Sequence, residues 1–186
     1  MDTKLFEKTN NHSMSMKPEV NGLIQARRSC RGFKAEQLLE EYIRLILEAG
    51  TKAPSGKNGQ PWRFIVIHKD KELLKKLSAL TAYNSFVSQA DCLIVVYLDK
   101  TQSYDYIKDV QAIGACIENM LLQAAALGIG SCWIGEILNK AKEANTLLEI
   151  NTERYEFMAV VAFGYPNDRT MQPRKKTLED CFISYL

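Results

Sequence analysis

Ala53-Pro54-Ser55-Gly56-Lys57-Asn58-Gly59-Gln60-Pro61-Trp62-Arg63-Phe64 stands between an amphipathic helical pattern and an apolar strand pattern. Pro54 and Pro61 fix φ and remove two backbone donors, while Gly56 and Gly59 allow positive φ. The segment is too polar for a core and too constrained for a free linker. A rigid loop of this kind, rich in hydrogen-bonding groups, is either an ordinary helix-to-strand turn or a place where a ligand sits. Its surroundings decide between the two.

On the N-terminal side, Leu38, Leu39, Tyr42, Ile43, Ile46 and Leu47 recur at three- and four-residue spacing and predict a helix over residues 36–50. On the C-terminal side, residues 64–68 read as a buried strand. Further along, the pattern predicts a helix over 71–80, a break at Tyr83-Asn84-Ser85 and an apolar strand over 92–98. A long helix over 105–127 follows, then a short extended piece over 131–135, a modest helix over 138–148 and a third clear strand over 156–163. Helices and strands mix without regular alternation, so the expected class is α+β, a sheet flanked by helices. The long helix carries Gly114, Ala115 and Ala124–Ala126, which permit close approach either within one subunit or by a helix of a second. Residues 1–17 are polar with little periodicity and read as an N-terminal arm, with residues 18–186 forming one domain.

The totals narrow the function. The 186-residue chain has 24 basic and 22 acidic residues and a net charge of +2, so neither nucleic acid nor an anionic membrane is demanded as a partner. No apolar run approaches the ~18–20 residues of a membrane span. Five cysteines without CxxC spacing and only two histidines argue against a metal site. Cys92, Cys116 and Cys132 lie among apolar residues and read as core. Cys30 is either a packed residue or, with no visible partner, a redox thiol. A reducing cytoplasm is the expected compartment.

The basic residues concentrate in two places, Arg27-Arg28-Ser29-Cys30-Arg31 and Arg174-Lys175-Lys176. Guanidinium forks with an adjacent hydroxyl suit a compact phosphate, although a solvated basic turn has the same composition. Neither a GxxxxGK[ST] loop nor a GxGxxG turn between strand and helix is present. The best match is a phosphate-bearing cofactor with a flat apolar ring. Pro54, Trp62, Trp133 and Ile134 are candidate walls, and the amides of Ile134, Gly135 and Glu136 are candidate partners for ring heteroatoms.

These segments, taken in order, resemble the nitroreductase family of FMN-dependent oxidoreductases. The resemblance rests on Arg27–Arg31, on Ala53-Pro54-Ser55 with Asn58, Gln60, Pro61 and Trp62, on Gly128 through Gly135, and on Gly164-Tyr165-Pro166 followed by Arg174. It implies a mixed, mostly antiparallel sheet flanked by helices, with FMN at a homodimer interface. By position, Arg27, Arg28 and Ser29 would hold the phosphate and ribityl chain, and Arg174 would close from the far end. Arg31 would lie near the N1–C2 edge of the ring. Pro54, Ser55 and Asn58 would reach the same flavin from the other subunit. Gly56, where many relatives have a serine, would offer only its backbone. The backbone around Ile134, Gly135 and Glu136 would approach N5 and O4, and Asn84 the polar edge.

The same resemblance implies ping-pong transfer of hydride from NADH or NADPH to a small-molecule oxidant such as a nitroaromatic or quinone. No catalytic side chain is expected, since the flavin performs the chemistry. The alternatives are a non-catalytic flavin store or sensor and a flavin enzyme of the same fold with a different reaction.

Overall fold

The structure, a computed structural model, describes residues 18–167 and 173–185. The expected N-terminal arm lies outside the described residues. Four strands form a sheet in the order β1-β2-β4-β3, with β1 at Trp62–Ile67, β2 at Cys92–Asp99, β3 at Gly130–Ile134 and β4 at Tyr155–Gly164. Every pairing between these strands is antiparallel. The mixed character expected of the sheet reduces to one parallel bridge, Ser29 to Ser131. The short extended piece expected over 131–135 is a fourth strand that begins at Gly130 and ends at Ile134, with Gly135 outside it.

β2 and β4 are central and almost entirely buried, as near-continuous Val, Ile, Leu and Ala runs require. Their alternating residues divide into two apolar layers. Ile94, Val96, Leu98, Ala159, Val161 and Phe163 face α2 (Glu40–Thr51) and α5 (Tyr106–Ala126). Leu93, Val95, Tyr97, Phe157, Val160 and Ala162 face α3 (Lys71–Ser78), the one-turn α4 (Asn84–Val87) and α6 (Ala141–Leu147). α1 (Pro18–Ala26) packs on the outside of α5.

The departures from expectation have local causes. α2 begins at Glu40 rather than at residue 36, because the Leu38 N–H donates to the Asp91 carboxylate at 2.8 Å and leaves the helical path. Asp91 is itself buried and also receives His68 and Lys71. The modest helix predicted over 138–148 opens as a 3-10 turn, Glu136–Lys140, and becomes α-helical only from Ala141. The break at Tyr83-Asn84-Ser85 holds one helical turn. Trp62 is 4% exposed and pairs with Leu98 at the start of β1. It fills the core and is unavailable as a wall for a ring.

Candidate active site

The basic segment at residues 27–31 leaves α1 and lies along the end of the sheet. Arg27 Nε pairs with Glu118 Oε1 at 3.3 Å, which ties the end of α1 to α5. The Cys30 N–H donates to the Ser131 carbonyl at 2.8 Å, so the segment adds to the outer side of β3 for one bridge. Further on, Phe33 bridges to Pro166, and the Lys34 N–H donates to the Tyr165 carbonyl at 2.8 Å. A Cβ at Gly130 would stand 2.8 Å from Cys30 Sγ, and one at Gly164 would stand 2.9 Å from the Phe33 ring. These glycines let the basic segment close on the strand ends. Cys30 is 3% exposed with its thiol on the Gly32 carbonyl, which fits the packed reading.

Three of the four sequence segments thus meet at one end of the sheet. Ser29 and Arg31 are exposed there, while Arg27 and Arg28 are half-buried. Burial pushes the Cys132 thiol up, against the pull of the Arg31 charge and the Ser29 hydroxyl, which places both groups beside β3. Beyond the Ser131 bridge, the outer edge of β3 has no strand partner among the described residues. Residues of the same parity as Ser131 turn their backbone groups outward, so Trp133 presents an unpaired edge. Trp133 is 40% exposed, whereas the Ile134 side chain is buried and can offer only its backbone.

Gly135 is exposed, and nothing lies within 4 Å of the Cβ it lacks. Next to it, Glu136 Oε2 accepts from Thr81 Oγ1 at 2.6 Å and from the Ala82 N–H at 3.1 Å. The Thr81 hydroxyl and then the Ala82 amide hold this carboxyl below its usual range. The side chain of Glu136 is therefore occupied in anchoring the turn that leads to Asn84. Asn84 starts α4, with its N–H on the Thr81 carbonyl and its Oδ1 receiving the Ser78 hydroxyl at 3.0 Å.

The proline-braced loop is elsewhere. It enters β1 at Trp62, which pairs with Leu98, while the basic segment meets the sheet at Gly130 and Gly164, opposite Cys92. The eight residues of β2 separate these two ends, a distance of roughly 25 Å at ~3.3 Å per residue. Within the loop, Ser55 Oγ accepts the Gln60 N–H at 3.0 Å and Asn58 Oδ1 accepts from Gln60 Nε2 at 3.1 Å. The Ser55 hydroxyl keeps a proton to donate, and Pro54 and Asn58 are exposed. Arg174 is exposed too, on the C-terminal segment that follows β4.

Comparison with known proteins gives the family. The profile described as Nitroreductase family matches residues 24–83 and 78–165. The chain belongs to the nitroreductase family. It is 41% identical over 149 residues to an Archaeoglobus fulgidus protein provisionally named NADH dehydrogenase/NAD(P)H nitroreductase, covering 78% of this chain and 84% of the relative. The fold matches that of a provisionally named nitroreductase of Desulfovibrio desulfuricans solved in complex with FMN. There the TM-score is 0.86 and the identity 40%, over 90% of this chain and 96% of the other. The FMN reductase [NAD(P)H] of Bacillus subtilis is 29% identical over 82% of this chain and 68% of its own length.

The residues present fit the flavin of a nitroreductase. Two arginines and a hydroxyl offer charge-assisted donors to a phosphate. The free edge of β3 and the open space at Gly135 let a flat, heteroatom-rich ring lie against backbone. The sequence reading missed the support of the proline-braced loop, in which the Asp99 N–H donates to the Pro61 carbonyl at 2.7 Å and the Tyr104 ring, with its own N–H on Asp109 Oδ2, lies against Gly56. Its only sequence signal was an acidic first helical turn, which any helix start shares.

Proposed function

We propose that the chain is an FMN-dependent oxidoreductase that takes hydride from NADH or NADPH and passes electrons to a small oxidant such as a nitroaromatic or quinone. The observation that carries this reading is that Arg27–Arg31 docks on the outer edge of β3 at Ser131, and that the same edge runs on unpaired past Trp133 to the open space at Gly135. Bound FMN supplies the redox chemistry, accepting hydride and releasing electrons in turn.

The protein's own part is placement and charge. Arg27, Arg28 and Ser29 hold the phosphate end, with Arg174 closing over it. Arg31 lays a positive charge beside the ring and favours its anionic reduced form. The backbone from Ile134 to Glu136 fixes the ring edge, with Asn84 held near by the Thr81 turn. The open volume at Gly135 leaves a ring face for the nicotinamide and then for the oxidant. One site used twice gives ping-pong kinetics, and protons come from solvent.

Pro54, Ser55, Gly56 and Asn58 belong to the site only if a second copy brings them. The ~25 Å along the sheet between this loop and the basic segment favours their reaching the flavin of a second copy. The reading therefore includes a homodimer with FMN in the seam. Val20, Ile24 and Ile107 are large apolar residues left exposed in the single chain, at 58%, 51% and 70%, and Phe182, Ile183 and Tyr185 are exposed in the tail. This supports an extensive partner surface. All five cysteines are free, and among the described residues no helix is long and apolar enough to cross a membrane. The working compartment in this reading is a reducing cytoplasm.

The test is the visible spectrum of the purified protein, followed by anaerobic stopped-flow reduction with NADH and with NADPH. Flavin bands at one FMN per subunit, bleached by either nucleotide and restored by a quinone, are expected. A colourless protein that refuses added FMN overturns the reading. A yellow protein that neither nucleotide reduces leaves a flavin store or sensor instead.

A further inference from the structure

The loop that presents Ser55 and Asn58 has an unfavourable backbone. Lys57, Asn58 and Gln60 all take positive φ, at 52°, 56° and 49°, a region that side-chain-bearing residues adopt rarely. Bonds inside the loop do not by themselves explain how three such residues persist within four positions. The external contact is with the segment after β2. The Tyr104 ring lies against Gly56, where a Cβ would stand 2.9 Å from Tyr104 Cδ1. Lys57 Nζ sits 4.2 Å from the centroid of the same ring and Lys108 Nζ 4.8 Å from it. A Cβ at Gly59 would approach the Gln102 carbonyl at 3.2 Å.

Tyr104 is itself fixed from below. Asp109 Oδ2 accepts from Ser103 Oγ at 2.8 Å, from the Tyr104 N–H at 2.8 Å and from the Asp105 N–H at 3.1 Å. Asp109 is 1% exposed on the buried face of α5. A rigid helix thus positions a tyrosine, and the tyrosine positions a strained loop.

We infer that Tyr104 is a positioning residue for cofactor binding, a clamp whose ring holds the Gly56–Gly59 turn so that Ser55 and Asn58 face the flavin across the seam. The inference rests on the functional reading above and adds a residue to it. It also accounts for Gly56, since any side chain there displaces the ring. The ring acts through its face and its width. Among the described residues the Tyr104 hydroxyl has no partner. Preorganising such a loop raises affinity by removing the cost of ordering it at the moment of binding.

The experiment measures FMN dissociation constants by flavin fluorescence on full-length protein stripped of cofactor and re-titrated. The variants are Tyr104→Leu, Tyr104→Phe, Gly56→Ala and the double variant Gly56→Ala/Tyr104→Leu. Tyr104→Leu and Gly56→Ala are each expected to weaken FMN by about tenfold, while Tyr104→Phe keeps the wild-type value. The double variant is expected to lose about tenfold rather than the hundredfold of independent effects, because the methyl group added at position 56 no longer meets a ring. Wild-type affinity in Tyr104→Leu, or a full hundredfold loss in the double variant, overturns the clamp while leaving the flavin reading intact. Should Tyr104→Leu fail to fold, wild-type affinity in Gly56→Ala alone overturns it. Refusal of FMN by the wild type removes both readings together.

Discussion

At the scale of single residues, the site is defined as much by what is absent as by what is present. Gly135 has φ −80° and ψ −25°, which any residue can adopt, and nothing within 4 Å of its missing Cβ. The fold therefore does not need glycine there, which accords with the proposed close approach of the flavin ring. Gly135→Ala is expected to leave apo stability unchanged or raise it by about 0.5 kcal/mol, while weakening FMN about tenfold by holding the ring off the backbone. Thermal melts of the apo protein alongside FMN titration check this, and undiminished FMN affinity would remove Gly135 from the site. Arg31 makes the complementary case. It is exposed, and its charge is felt at Cys132 on β3. Replacing it with Met should lower the two-electron potential of bound FMN by about 30–60 mV, the effect of one cation near the ring in a partly screened setting. A spectroelectrochemical titration that finds no drop would place Arg31 away from the ring.

At the scale of elements, the proline-braced loop is held by the strand ends on which it stands. Asp99 terminates β2 with no exposed surface. Arg154 grips it through Nε at 3.1 Å and Nη2 at 2.9 Å, and Arg63 adds a contact at 3.0 Å, so β1, β2 and the start of β4 are joined. The Asp99 N–H donates to the Pro61 carbonyl at 2.7 Å, which fixes where the loop ends. The Arg154 hydrogen bonds, with those from Thr101, outweigh burial and hold the Asp99 carboxyl far below its usual range. For Asp91, burial pushes upward, but the Lys71 ammonium and the Leu38 N–H prevail and the carboxyl is again lowered.

The sign follows from the folded state binding protons less readily than the unfolded chain at both sites. Their contribution is complete above the unfolded carboxylate pKa of about 4 and is lost as pH falls through the lower folded values. Because both guanidinium groups covering Asp99 are nearly half exposed, Asp99→Asn should cost about 2 kcal/mol rather than the ~3–5 of a deep pair. Urea melts at pH 7 and pH 3 test this. The variant should be the less stable at pH 7, and the gap should narrow at pH 3. A gap that stays constant would mean that the charge of Asp99 contributes nothing.

The elements themselves were legible in the sequence wherever a period of two or of three to four residues ran unbroken, as in β2, β4 and α5. The basic segment and the proline-braced loop were legible as composition. What was not legible depended on contacts between distant residues. Leu38 has the right spacing for α2 but its amide is claimed by Asp91. Trp62 reads as an aromatic loop residue until its pairing with Leu98 turns it inward. Nothing local couples Gly56 to Tyr104.

At the scale of the molecule, in the proposed homodimer one chain presents half of two sites. Its basic segment and the free edge of β3 lie at one end of the sheet, and its proline-braced loop lies at the other. A two-fold arrangement that joins the first end of one copy to the second end of its partner completes both sites at once. In that arrangement cofactor affinity and assembly would be linked, so that FMN would stabilise the dimer and dilution would release FMN. Ile24 offers a way to separate this from simple folding damage. It lies on α1 one turn before Arg27 and is 51% exposed in the single chain, so Ile24→Glu removes little from the monomer's own packing. If α1 lies in the seam, the buried glutamate should weaken the dimer by about 3 kcal/mol, roughly a hundredfold, and FMN should leave with the partner. Sedimentation velocity monitored at 280 nm and at the flavin bands reads both quantities in one run. A variant that sediments as a dimer with a full complement of FMN would take α1 out of the interface. A monomer that keeps its FMN would show instead that the proline-braced loop of the partner is not needed to hold the cofactor.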